Sequence, residues 1–258
     1  MNIITMQEIK KDLANTGLKE GSAVLVHSSL KSFGWVEGGA DAVIDALIEA
    51  VGASGTVIVP TLTGSAQLTA ATPPVFDVLN TPGWTGTIPE AFRKRKNAVR
   101  SLGSTHSVAA IGRQAEFLTE GHQLCNTPCG KGSPYEKLCL MDNGYILMAG
   151  IGLSCVTAFH CAEEIAGVSY LMQPEPVNAI VIDTRGNKIA VRTRIHTYGI
   201  PMDFPRAELP LLQAGIIKIG SSGNSTLRLI KAKEMLEFIL ARLKENPFFL
   251  LKEGRRPA

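Results

Sequence analysis

The stretch from residue 22 to 60 constrains the fold more than any other. Ser22-Ala-Val-Leu-Val-His27 is a short apolar run without alternation, and Thr56-Val-Ile-Val-Pro60 is another. Such runs fit strands covered on both faces. Between them, apolar residues at 40, 43, 44, 47, 48 and 51 mark one stripe of a helix running from Gly38 to Val51. Strand, helix, strand with short links is a βαβ unit, so the two strands are parallel and the helix lies on one face of their sheet.

The remaining elements extend this pattern. Thr5-Met-Gln-Glu8 is a capping-box sequence opening a helix that Gly17 closes. Thr87-Ile-Pro-Glu90 starts another helix, while Ser107-Val-Ala-Ala-Ile111 and Tyr145-Ile-Leu-Met-Ala149 read as buried strands. Residues 61 to 86 lack periodicity and are rich in Thr, Pro and Gly, and Trp35 and Trp84 lie at or near such loops. A loop of that length in a compact domain usually carries function. Residues 177 to 183 and 188 to 195 flank the turn Thr184-Arg-Gly-Asn187 as a hairpin, and Leu227 to Leu243 reads as an amphipathic helix. These elements predict a three-layer α/β/α sandwich with a mixed, mostly parallel sheet and an antiparallel hairpin addition. No linker or charge run divides the chain, which is read as a single domain over residues 1 to 258.

Composition narrows the functional classes. With 258 residues, 45% of them apolar, the chain can bury one large core. The 26 basic and 23 acidic residues are too evenly balanced to imply nucleic acid or membrane as a partner. Arg93-Lys-Arg-Lys96 and the Arg255-Arg256 tail are read as solvated faces rather than phosphate sites. Five cysteines, at 125, 129, 139, 155 and 161, have no disulfide rhythm and no accompanying pair at zinc spacing, so reduced thiols and no metal are expected. No segment resembles a signal peptide or a membrane span, so a soluble, cytoplasmic protein is expected.

The densest chemistry lies in Gly150-Ile-Gly-Leu-Ser-Cys-Val-Thr157-Ala-Phe-His160-Cys-Ala-Glu163-Glu164, a glycine turn leading from a strand into a helix. Thr157, His160 and Glu163 or Glu164 recur at three-to-four-residue spacing, which puts a hydroxyl, an imidazole and a carboxylate on one helical face. Gly152-Leu-Ser154-Cys155-Val156 resembles a nucleophile elbow, but Val156 stands where the second glycine is needed. His27-Ser28-Ser29-Leu30 sits at a strand end, the edge where open α/β sheets place ligands. His106, in Gly103-Ser-Thr-His106-Ser107, reads as a loop histidine. The glycines at 34, 38 and 39 form neither a dinucleotide fingerprint nor a P-loop.

Taken in order, Val24-Leu-Val-His27-Ser-Ser-Leu30, Gly55-Thr-Val-Ile-Val-Pro-Thr61, Gly86-Thr-Ile-Pro-Glu-Ala-Phe-Arg93, Thr105-His-Ser-Val-Ala-Ala-Ile-Gly112, Gly132-Ser-Pro-Tyr135, Thr157-Ala-Phe-His160-Cys-Ala-Glu163 and Asp203-Phe204 resemble the antibiotic N-acetyltransferase family, the aminoglycoside 3-N-acetyltransferases. The likeness runs from about residue 18 to 250 and rests on the order and spacing of these segments.

That resemblance implies an acyltransferase that moves an acetyl group from acetyl-CoA to an amine at the 3-N position of an aminoglycoside, an antibiotic-resistance chemistry, in a monomer or homodimer. It assigns His160 as general base with Glu163 and Thr157 beside it. It implies that His27, Ser28, Ser29, Leu30, Ser107 and Val108 hold the coenzyme, and that Asp77, Tyr135, Ser154, Glu164 and Asp203 face the substrate. Family members commonly carry aspartate where this chain has Ser154, so a different amine or amino sugar is the alternative acceptor. A thioesterase or other hydrolase using Ser154 or Cys155 is the remaining alternative. The chemistry suits an imidazole: an amine must lose a proton to attack a thioester, and a neutral histidine accepts one near pH 7.

Overall fold

A computed structural model describes residues 3 to 253, so the Arg255-Arg256 tail lies outside the described residues. The chain begins with strand β1 (Ile3–Ile4) and helix α1 (Met6–Thr16). The Thr5 hydroxyl accepts from the Glu8 N–H, and the Glu8 carboxylate accepts from the Thr5 N–H at 2.8 Å, the reciprocal cap the sequence predicts. Strand β2 (Ala23–Ser28), strand β3 (Trp35–Val36), helix α2 (Gly39–Val51) and strand β4 (Thr56–Pro60) follow. Strands β2 and β4 pair in parallel, with Ala23 opposite Thr56, so the βαβ unit is present.

Next come β5 (Val75–Asp77), α3 (Thr87–Arg93), β6 (Val99–Arg100), β7 (Val108–Gly112), α4 (Ala115–Thr119), α5 (Pro134–Cys139), β8 (Gly144–Ala149) and α6 (Ala158–Ala166). The chain closes with β9 (Val177–Ile182), β10 (Lys188–Thr193), α7 (Glu208–Gln213), β11 (Ile217–Ser222), β12 (Ser225–Lys231) and α8 (Ala232–Glu245). The 7-stranded sheet has the order β11-β12-β8-β2-β4-β7-β6. Its centre, β8-β2-β4, is parallel. Strands β12 and β7 run against that centre, and β11 and β6 turn back to share its direction.

Successive side chains of β2 point to opposite faces, and each face has its own helices. Val24 and Val26 pack with Leu13 of α1, Leu47 of α2 and Phe92 of α3. Ala23 and Leu25 pack with Leu138 of α5, Phe159 of α6 and Ile239 of α8. Each fully buried Val, Leu or Phe stabilises the layers by roughly 1.5–3 kcal/mol. The sandwich is therefore held from both faces of one strand.

Two elements depart from the sequence reading. The hairpin of β9 and β10 does not join the main sheet. It forms a 3-stranded sheet with β5, from inside the supposed loop 61 to 86, around its own core of Phe76, Val181 and Val191. The last helix begins at Ala232, not Leu227. Leu227 and Leu229 belong to β12, where they pair with Ala149 and Leu147 of β8. Their period of two abuts a true helical stripe, and the joined pattern reads as one element.

Candidate active site

The parallel centre puts the C-terminal ends of β2, β4 and β8 on one edge of the sheet, and a cavity of about 430 Å³ opens there. Strand β2 contributes His27 and Ser28, β4 ends in Pro60, and the segment after β8 contributes Ile151 and Ser154 to Thr157. Because β7 runs against β4, with Val108 opposite Pro60, the loop before β7 reaches the same edge and brings His106. Trp84 and the segment after β10, including His196 and Tyr198, complete the wall.

Gly150 ends β8 at φ 72°, a backbone state that costs other residues, and a Cβ there would run into the Ser32 side chain. The turn it permits leads through Leu153–Cys155 into α6. Three residues into that helix, His160 faces the cavity, and its Nδ1 lies 2.7 Å from Glu163 Oε2. The Tyr170 hydroxyl donates to the other carboxylate oxygen, Glu163 Oε1, at 2.6 Å. Glu163 is fully buried, so both its oxygens hold their partners in a setting where a carboxylate hydrogen bond is strong. With Nδ1 engaged, Nε2 is the nitrogen that His160 presents to a ligand.

The next residue of α6 makes a second pair. Glu164 Oε1 lies 2.6 Å from His196 Nε2, and the Cys129 N–H donates to the carboxylate at 3.0 Å. The rings of His160 and His196 are 4.7 Å apart, and those of His106 and His196 are 4.5 Å apart. Burial pushes Glu164 up to about 7 and holds His196 and His106 well below the usual histidine range. His27 is lowered to about 4 by burial alone. Three imidazoles thus stand together, His160 and His196 each braced by a carboxylate and His106 held by the Thr105 hydroxyl.

The other expected site residues divide. His27, Ser28, Ser154, Thr157 and His160 line the cavity. Among the described residues, His27 Nε2 and Ser28 Oγ are buried without a hydrogen-bond partner. Ser107 and Val108 are fully covered: the Ser107 hydroxyl donates to the Thr61 carbonyl, and the Val108 N–H donates to Ser101 Oγ. Ser29 donates its N–H to the Ala149 carbonyl, and Leu30 packs on the sheet core. Tyr135 is a core residue whose hydroxyl donates to the His106 carbonyl. Asp77 accepts the Leu79 and Asn80 N–H groups in its own turn, and Asp203 meets Arg206 at 3.7 Å. Glu164 does not share the face of Glu163; one residue turns the helix by about 100°, and its carboxylate faces His196. Of the five residues expected to face substrate, only Ser154 therefore lines this cavity.

Sequence reasoning missed His196, Tyr170 and the pairing role of Glu164. His196 had one signal: it lies shortly after the end of β10 (Lys188–Thr193), as His27 lies near the end of β2 and His106 just before the start of β7. Tyr170 had none, since its approach to Glu163 depends on the bend after α6 at Gly167 (φ 67°). In the run from Arg93 to Lys96, Arg93 and Lys94 pair with Glu90, and Arg95 pairs with Asp41 and Asp45.

His106, Cys129 and His196 each offer a metal-ligating atom, all within 4.8 Å of one another. Thr105 and Glu164 already engage His106 and His196. All five cysteines are free, and no helix of the described residues is long and apolar enough to cross a membrane.

A layered α/β protein with an imidazole–carboxylate pair at the C-terminal edge of parallel strands is an architecture built for proton transfer at a ligand cleft. The family model described as aminoglycoside 3-N-acetyltransferase matches residues 25–244, and the chain belongs to that family of acyltransferases. The aminoglycoside N(3')-acetyltransferase-like protein YokD of Bacillus subtilis is 36% identical over 179 residues, 62% of this chain and 64% of YokD. The chain thus spans just under two thirds of the curated relatives first matched, at 64%, 63% and 65% of their lengths. The crystal structure of aminoglycoside acetyltransferase AAC(3)-Xa superposes with a TM-score of 0.81 at 29% identity, covering 95% of this chain and 94% of that one. A mutant of AAC(3)-IVa in complex with a gentamicin has a TM-score of 0.82 at 26% identity, covering 98% and 93%.

Proposed function

We propose that the chain is a single-domain, cytoplasmic, acetyl-CoA-dependent N-acetyltransferase acting on an aminoglycoside amine, with His160 as general base. The pair His160–Glu163 at 2.7 Å in the cavity wall carries this reading. Glu163 holds Nδ1–H, fixes the tautomer and stabilises the imidazolium, so that Nε2 takes the proton from the attacking nitrogen. Thr157, at the start of α6 and in the cavity wall, is the donor for the oxygen that gains charge as the thioester carbonyl is attacked. His27 Nε2 and Ser28 Oγ, buried without partners, fit the amide and carbonyl groups of the coenzyme's arm, and Trp84 offers it an apolar plate. Five free thiols suit a reducing compartment.

The gentamicin bound to AAC(3)-IVa favours an aminoglycoside acceptor. One observation favours the second reading, a less charged amine or amino sugar: among the described residues no Asp or Glu lines the cavity. A polycationic acceptor would meet only neutral groups and the histidines there. The hydrolase alternative lacks an activated nucleophile. Ser154 Oγ has Cys155 Sγ at 3.8 Å as its neighbour, and neither bonds to a histidine. The test is coenzyme A release with acetyl-CoA and a panel of aminoglycosides, amino sugars and simple amines. Amine-dependent release lost in His160→Ala supports the proposal; release without any amine returns the hydrolase.

A further inference from the structure

The reaction, as read above, takes two protons from one nitrogen. The acceptor arrives as an ammonium, R–NH₃⁺, and leaves as an amide, R–NH–CO–CH₃. The C–N bond forms, the C–S bond breaks, the thiolate takes one proton and solvent receives the other. A lone imidazole holds one proton at a time. We infer that His196, seated on Glu164, is a second proton acceptor of this site: it deprotonates the incoming ammonium before His160 takes the proton released on attack. This inference rests on the acetyltransferase reading.

The placement supports it. Glu163 and Glu164 are neighbours on α6, and each holds one imidazole of the same cavity wall, at 2.7 and 2.6 Å. The two rings lie 4.7 Å apart, within reach of one small amine. The Cys129 N–H donates to both oxygens of Glu164 at 3.0 Å, so its carboxylate is held in place and does not follow the substrate. With Nε2–H donated to Glu164, His196 keeps Nδ1 as its acceptor atom. The titratable and charged groups around the pair are His160, Cys161 and Glu163 on α6, Arg194 after β10, His106 before β7, His122 and Cys129 before α5, and Tyr135 in α5. His106 and the Cys129 thiol are held neutral by burial. Burial raises Glu164 and lowers His196, so a proton accepted at His196 is shared across the 2.6 Å bond to Glu164 and titrates as a property of the pair.

The test is kcat/KM of the full-length protein with acetyl-CoA and, in parallel, gentamicin, glucosamine and a primary alkylamine, from pH 6.5 to 9.5. Glu164→Gln and His196→Asn are compared with the wild type. The expected loss is about 100-fold near pH 7, where the amines are charged, shrinking to within about threefold by pH 9.5 for glucosamine and gentamicin, whose amines become neutral by themselves, and persisting for the alkylamine, which stays charged like a lysine up to about pH 10. The KM for acetyl-CoA stays unchanged. A loss of equal size at every pH with all three amines in both variants marks a structural role and overturns the inference, as does no loss at any pH. Wild-type silence on every amine overturns the acetyltransferase reading and this inference together, so the two failures are distinguishable.

Discussion

Glu163 accepts a hydrogen bond at each oxygen, from His160 on one side and Tyr170 on the other. Replacing it by glutamine removes the charge that steadies the imidazolium while keeping the volume. We expect Glu163→Gln to lower kcat by about 100-fold with little change in KM. A change in KM alone would assign Glu163 to binding. Tyr170→Phe leaves Glu163 Oε1 buried without its donor, at a cost of about 1–3 kcal/mol, measurable by urea unfolding. The first pair was legible in the sequence because the three-residue spacing of His160 and Glu163 on a helix brings them together. The second was not. Glu164 and His196 are 32 positions apart in the chain, and only the path of the small sheet after β10 brings them together. The acidic residues expected to meet substrate failed for a related reason: Asp77 ends β5 and is satisfied by the amides of the turn that follows, and Asp203 is engaged by Arg206.

At the scale of elements, the turn between β8 and α6 aims the site. Gly150 has φ 72°, its N–H donates to the Thr226 carbonyl at 2.9 Å, and Ser32 occupies the space a Cβ would need. Gly150→Ala should cost roughly 1–3 kcal/mol of stability from the backbone state alone. Thermal unfolding measures it, and a larger fall in kcat than in the Gly152→Ala control would show that the turn positions His160; no Cβ contact is expected at Gly152. Most elements were readable because their periods were clean: the capping box at Thr5, the stripe of α2 and the buried runs of β2, β4 and β8. The start of α8 was misread because β12 feeds into it without a polar break. The sheet to which β9 and β10 belong was hidden because its third strand, β5, has only 3 residues in a loop of Thr and Pro.

The whole molecule carries its chemistry at one edge of a sheet whose helices cover both faces, and the histidines buried there bear on its stability. Burial lowers His27 and His122 to about 4, against an ordinary value of 6.5. Between those values the unfolded chain binds protons that the folded chain refuses. Their contribution is therefore present above pH 6.5 and lost as pH falls toward 4, by up to about 3 kcal/mol for each group. Denaturant midpoints at pH 7 and pH 4.5 check the sign, and a midpoint that rises on acidification contradicts it. The family to which the chain belongs was legible from the order of its segments. The identity of the acceptor was not, since it depends on a cavity wall assembled from separate stretches of chain. The most direct measurement of the central claim is coenzyme A release from acetyl-CoA, with and without an amine, by the wild type and by His160→Ala. The expected result is amine-dependent release by the wild type and its loss in the folded, coenzyme-binding variant. Near-normal turnover by His160→Ala would contradict it.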